Sequence, residues 1–168
     1  MHNGAAGGTS GANGIWQVNR RGAPYGPSPH GKSWGDIPWD EAMKGAGSGQ
    51  AGLAKQFLTG YPWHRLEPKP DTVAWADDQP TQDAIRPCAA WIGTELRIVY
   101  VPQARAITAK QLTAQTDYAV NLFDPVLGGQ VSLGQATTDE AGSWHCTPPN
   151  QNHDWVLVLE KRGESGKR

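Results

Sequence analysis

Asp36, Asp40 and Glu41 are the carboxylates that this chain offers ahead of residue 66, and a pair of carboxyl groups can serve as general acid and general base. Asp40 and Glu41 are adjacent, near a predicted helix start. Capping and compensation of the helix dipole explain them more cheaply than acid–base chemistry does. Metal chemistry has no better footing. His30, His64, His145 and His153 are scattered, and no H-E-x-x-H run places two imidazoles one helical turn apart. Surface or turn positions are the reading for these histidines. Neither a G-x-x-x-x-G-K-[ST] run nor a strand-flanked dinucleotide fingerprint is present, so no cofactor is implied. Cys88 and Cys146 could bridge two strands in an oxidising compartment, which would contribute roughly 4 kcal/mol. The other reading, favoured because two cysteines make no framework, is a pair of free buried thiols. No residue set makes a complete catalytic site.

Eight tryptophans between Trp16 and Trp155 are a heavy load for 168 residues. Each indole buries a large area, so they either build several cores or line a binding surface. Trp91, Trp144 and Trp155 fall in strand patterns, which assigns them to core packing or to contact with a neighbouring domain. Trp34 and Trp39, beside Gly35 and Pro38, read as loop anchors.

The elements that must position these residues differ along the chain. Fourteen of the 21 glycines lie in the first 60 residues, whereas the stretch from Thr72 to Glu160 reads as short apolar runs bounded by turn residues. A Pro-rich connector, Leu66-Glu67-Pro68-Lys69-Pro70, separates the two. Beyond it, Ala89 to Ile92 and Glu95 to Val101 form a predicted hairpin across Gly93-Thr94, with Leu96, Ile98 and Tyr100 on one face. Tyr118 to Phe123 alternates likewise, and Asp124 to Gly129 turns the chain into Val131-Ser132-Leu133. Asp139 to Gly142 is a further turn signal ahead of Trp144. Trp155 to Leu159 is apolar on both faces, as a strand buried on both sides would be. Strands at this spacing predict a small antiparallel β-sandwich over residues 67–162, followed by a frayed tail at 163–168. In residues 1–66 the pattern predicts one helix, capped by Ser48, carrying Leu53, Ala54, Phe57 and Leu58 on one face and stopped by Gly60. A Gly-rich strand candidate, Gly7 to Asn19, precedes it. One strand and one helix cannot bury their own apolar faces, so this region must lean on the sandwich or on further chain.

Charge and length bound the partners. The formal net charge is −1, only 18% of residues are charged, and no run of Lys or Arg forms a polyelectrolyte footprint. That argues against nucleic acid and membrane surfaces as partners. No apolar stretch reaches bilayer-spanning length, and Met1-His2-Asn3-Gly4 lacks the charged and apolar regions that open a signal peptide.

Three stretches of the N-terminal part, Gly4 to Gln17, Pro38-Trp39-Asp40-Glu41-Ala42 and Tyr61 to Pro68, resemble the last strand, loop and helix of the apiosidase-like glycoside hydrolase barrel. Val99-Tyr100-Val101-Pro102, Asn121 to Pro125, Thr147-Pro148-Pro149 and Asp154 to Leu159 resemble the module that follows it, labelled the putative collagen-binding domain of a collagenase. Ser10 departs from the resemblance, which implies an aromatic residue there. The resemblance implies the C-terminal remnant of a (β/α)8 barrel in residues 1–66, with the two catalytic carboxyl groups on strands upstream of this segment. The chain alone would then be inactive, and carbohydrate would be met through that upstream barrel. In such a barrel Asn13, Trp16 and Gln17 would face the substrate, an indole stacking on a sugar ring and amides bonding hydroxyls, and Trp34 and Trp39 could extend the surface. Equally, Trp16 packs under its loop and Asn13 caps a turn.

Two functions follow. One is an accessory sandwich that packs on the barrel and contributes to carbohydrate binding. The other is an autonomous binding module for an extended polymer, polysaccharide or collagen. A strand apolar on both faces favours the first, because a two-layer sandwich covers only one face of each sheet. The nearest partner for the second face is the barrel remnant, through Leu53, Phe57 and Trp63.

Overall fold

The computed structural model describes residues 20–22, 38–77, 85–147 and 153–162, and the chain divides into two compact units, Met1–Tyr61 and Pro62–Arg168. The described architecture is mainly β: two sheets form a sandwich, preceded by two helices, with no closed barrel among the described residues.

Among the described residues of the second unit nine strands run in chain order: β1 (Glu67–Pro68), β2 (Val73–Trp75), β3 (Cys88–Ile92), β4 (Leu96–Val101), β5 (Ile107–Ala109), β6 (Asp117–Phe123), β7 (Gln130–Thr137), β8 (Trp144–Cys146) and β9 (Trp155–Lys161). One sheet has six strands in the order β1-β3-β4-β9-β6-β7, the other three in the order β2-β5-β8, and every pairing is antiparallel. Position in the larger sheet follows composition. The Trp-Val-Leu-Val-Leu run of β9 has no polar side to offer water and takes a central place, buried from Trp155 to Leu159. β7 is exposed except at Ala136 and lies at one edge, while the other edge is only two residues long and holds Pro68, which has no N–H to donate.

The core between the sheets joins Val99, Val101, Trp155, Leu157, Leu159, Tyr118, Val120 and Leu122 of the larger sheet to Val73, Ile107 and Cys146 of the smaller. Register brings these together: Val99 opposes Leu157, Val101 opposes Trp155 and Leu122 opposes Leu157. The inward face of β4 is therefore Val99 and Val101. Leu96, Ile98 and Tyr100 share one face, as their spacing predicts, and it is the outer one. That outer face is closed to solvent as well: Ile92, Leu96, Ile98, Phe123, Val156 and Val158 are all buried.

Turns are fixed by the residues that can adopt them. The β3–β4 loop holds three residues rather than the expected two, Gly93 at φ 51° followed by Thr94 and Glu95, with the Glu95 amide donating to Ile92 O at 3.1 Å. Between β6 and β7, Asp124 Oδ1 accepts from the amides of Val126 at 2.8 Å and Leu127 at 3.0 Å, an aspartate turn six residues long. Asp139 does the same before β8, accepting from Ala141 at 2.9 Å and Ser143 at 2.7 Å. Tyr118, fully buried at the start of β6, receives the Thr113 amide at 3.1 Å and donates to Thr94 O at 3.3 Å. One hydroxyl thus ties the β5–β6 connection to the β3–β4 loop.

In the first unit, α1 (Trp39–Ala42) is a single turn and α2 (Ala46–Thr59) is the expected amphipathic helix. The N-cap of α2 is Gly45, and Ser48 lies inside the first turn, so the capping role assigned to Ser48 is not found. Gly60 does end the helix, in a right-handed conformation at φ −71°. Phe57 and Tyr61 pair as tilted rings 5.2 Å apart. Leu53 and Phe57 are half-buried, whereas Leu58 is exposed, as are Trp39 and Met43 of the α1 region.

Candidate functional site

The four residues assigned to substrate, Asn13, Trp16, Gln17 and Trp34, lie outside the described residues, as do Asp36 and His30. Of the neighbouring carboxylates, Asp40 and Glu41 stand in the first turn of α1 and both meet Arg21, whose Nη2 lies 2.7 Å from Glu41 Oε1 and 3.2 Å from Asp40 Oδ2. Glu41 first and Asp40 second raise the Arg21 pKa above its already high value. Two exposed carboxylates sharing one arginine make a surface ion pair, which fits a structural role at the start of the helix better than acid–base chemistry. Trp39, read as a loop anchor, is instead 53% exposed at the head of α1.

On the sandwich the tryptophans separate into two kinds. Trp155 is wholly buried and its Nε1 donates to Gln103 O at 3.2 Å, while Trp144 and Trp75 are partly buried against the core. Arg105 stacks over Trp75 at 4.5 Å and forms an ion pair with Asp77. Trp91 is different: Lys69 Nζ lies 4.8 Å and the Arg97 guanidinium 4.7 Å from its ring centre, and its Nε1 donates to Glu67 Oε2 at 3.3 Å. A π face opposite a cation is attractive, and more so where water is excluded.

Arg97 is the residue that sequence reasoning passed over. It is 2% exposed on the inward face of β4, donates to Gln111 O at 3.2 Å and Lys110 O at 3.5 Å, and has its pKa pulled down by burial. Loop carbonyls and the Trp91 face offset the cost of the buried charge. The signal available beforehand was its period-two spacing with Val99 and Val101.

A second polar group sits where β4, β6 and β9 meet. Tyr100 bonds the Asp154 carboxylate, and burial first, then Asp154, pushes its phenol pKa up. His153 Nδ1 is 2.7 Å from Asp154 O, and its Nε2 is 3.6 Å from Asp124 Oδ2. Among the described residues no group of three or more His, Cys, Asp or Glu is arranged to hold a metal ion, and no helix is long and apolar enough to cross a membrane.

The cysteines are free. Cys146 is buried but Cys88 is exposed, so only one of the two thiols fits the buried reading. Burial pushes the Cys146 thiol from its ordinary 9.0 up to about 11. A raised folded-state pKa means that stability is fully present below the unfolded value and is lost as pH rises through the folded one. Between pH 9 and 11 the chain is therefore expected to lose up to about 1.4 kcal/mol per pH unit more than the Cys146→Ala variant does. Urea midpoints of both chains measured across that range check this, and parallel profiles would contradict it.

Comparison with known proteins places both units. Residues 70–160 match the family described as "Putative collagen-binding domain of a collagenase", and because the match spans more than half of the chain, the protein belongs to that family. Residues 1–65 match "Apiosidase-like, catalytic domain". The chain is thus an apiosidase-like fragment followed by a distinct collagen-binding-like domain. No curated protein matches. Among solved structures, one titled "Glycoside hydrolase" shares 17% identity over 80% of this chain and 30% of its own, with a TM-score of 0.61. A glycoside hydrolase family 5 structure from Bacteroides vulgatus shares 16% identity over 86% of this chain and 30% of its own, with a TM-score of 0.60. At that identity the likeness is one of fold, and this chain spans 30% of the length of either structure.

Proposed function

We propose that this chain is the non-catalytic C-terminal portion of a glycoside hydrolase, in which residues 67–162 form an accessory sandwich that packs on the catalytic barrel and residues 1–66 contribute the end of that barrel. The observation that carries the reading is the second face of β9. Val158 is fully buried and Val156 is 9% exposed on the side away from the sandwich core, with Ile98, Leu96 and Phe123 beside them. Such a face suits a permanent intramolecular seat, since a polymer-binding module presents its aromatic strip to water. The catalytic carboxyl pair would belong to barrel strands in a longer polypeptide, and carbohydrate would be bound there, with Asn13, Trp16, Gln17 and Trp34 at the rim of the cleft. Export of that polypeptide, which would bring it to its polymer, belongs to the same proposal.

The test has two arms. Purified chain is expected to show no turnover above a buffer blank on aryl glycosides, pectic side-chain oligosaccharides or gelatin, and no retention on insoluble polysaccharide or fibrillar collagen. Turnover lost on mutating Asp36 or Glu41 would show that the site had been misjudged. Retention on either polymer would favour the autonomous binding module.

A further inference from the structure

The segment near the start of the second unit has the composition of a spacer. Two prolines in Glu67-Pro68-Lys69-Pro70 would ordinarily give a semi-rigid, solvated linker. Its backbone is placed otherwise. Glu67 opposes Trp91 and Pro68 opposes Ala90 in the ladder with β3, and the Lys69 amide donates to Ala89 O at 2.8 Å. The Thr72 amide and hydroxyl then close a turn on Lys69 O at 3.1 and 2.7 Å, and Thr72 O accepts the Lys110 amide at 2.8 Å beside the second sheet. The segment is thus tied to the edge of one sheet and, three residues later, to the end of the other.

The side chains repeat the pattern. Glu67 accepts from the Trp91 indole, Lys69 lies over the ring and also 3.8 Å from Glu67, and Arg97, from the core side, stacks on the same ring while bonding the loop carbonyls of Lys110 and Gln111. From these contacts we infer that residues 67–72 are a strap locked down by Trp91, not a spacer. The device is conformational and stands independently of the glycoside hydrolase reading.

Amide hydrogen exchange on the full chain tests it. In the native protein the Lys69 and Thr72 amides are expected to exchange slowly, with protection comparable to the β3–β4 ladder. Trp91→Leu is expected to speed both by roughly tenfold or more while leaving Leu157 in β9 unchanged. If Trp91→Leu loosens the whole sandwich, Leu157 speeds up too, and Glu67→Gln and Lys69→Gln, which keep the indole, carry the test through a smaller acceleration confined to residues 67–72. Unprotected Lys69 and Thr72 amides in the native chain, or no acceleration in any of the three variants, would overturn the inference.

Discussion

Replacing Trp155 by alanine is expected to lower stability by about 4 kcal/mol, a large share of the margin of an ordinary domain. The indole is fully buried, opposes Val101 in the ladder and spends its one donor on Gln103 O at 3.2 Å. Truncation therefore opens a cavity between the sheets and removes one of the two donors to Gln103 O, which keeps the Arg105 amide at 2.9 Å, so the cavity is the larger penalty. Leu133→Ala on the exposed edge strand is the control, since Leu133 is 44% exposed, and it should stay within about 0.5 kcal/mol of the parent. Urea unfolding of the three chains gives the comparison. Similar midpoints for both variants would mean that the core does not lie where β9 puts it.

Gly142→Ala is the second large effect, expected at about 3 kcal/mol or more. Gly142 adopts φ 69°, which disfavours any side chain, and an added Cβ would overlap the carbonyl oxygen of Leu112. That obstacle is backbone, and it is held: the Leu112 amide donates to Gly142 O at 2.9 Å, and the following Thr113 carbonyl accepts the buried Thr138 hydroxyl at 2.6 Å. Nothing in this arrangement can swing aside as a flexible side chain would. Gly129→Ala supplies the contrast, because a Cβ there meets nothing within 4 Å. Thermal unfolding in which both variants matched the parent would refute the tight approach of the two loops.

Much of the sandwich was legible because its long strands alternate and its turns carry aspartate and glycine. Tyr118 to Phe123 and Trp155 to Leu159 became β6 and β9, and the three turn signals at Gly93, Asp124 and Asp139 each turn the chain. The face of β4 was not legible, for a physical reason: Leu96, Ile98, Val99 and Val101 are all buried, and a strand closed on both sides has no polar row to mark its outside. β1, β2 and β5, two or three residues long, are too short for any period to show. Ser48 looked like a cap because the helix was taken to start there; Gly45, with no side chain to signal, fills that place. At the site level, types and spacing found the adjacent Asp40 and Glu41 but not their partner Arg21, nineteen and twenty residues away. Trp91 was read as packing in the core or against a neighbouring domain; the two cations that converge on it come from different parts of the chain, an arrangement that only the tertiary fold creates.

The place of β9 has a consequence for how such a domain is made. It follows every other strand in chain order, yet it lies between β4 and β6, which have no pairing with each other. As the polypeptide leaves a ribosome, the β3–β4 and β6–β7 hairpins emerge as two separate ribbons, each with a long apolar flank facing the solvent. Only when Trp155 to Lys161 has been released can one strand zip both flanks together in a single step. The nascent domain is thus exposed to mispairing until that release, and a polypeptide that stops short of Trp155 lacks the middle of its sheet, not a dispensable tail.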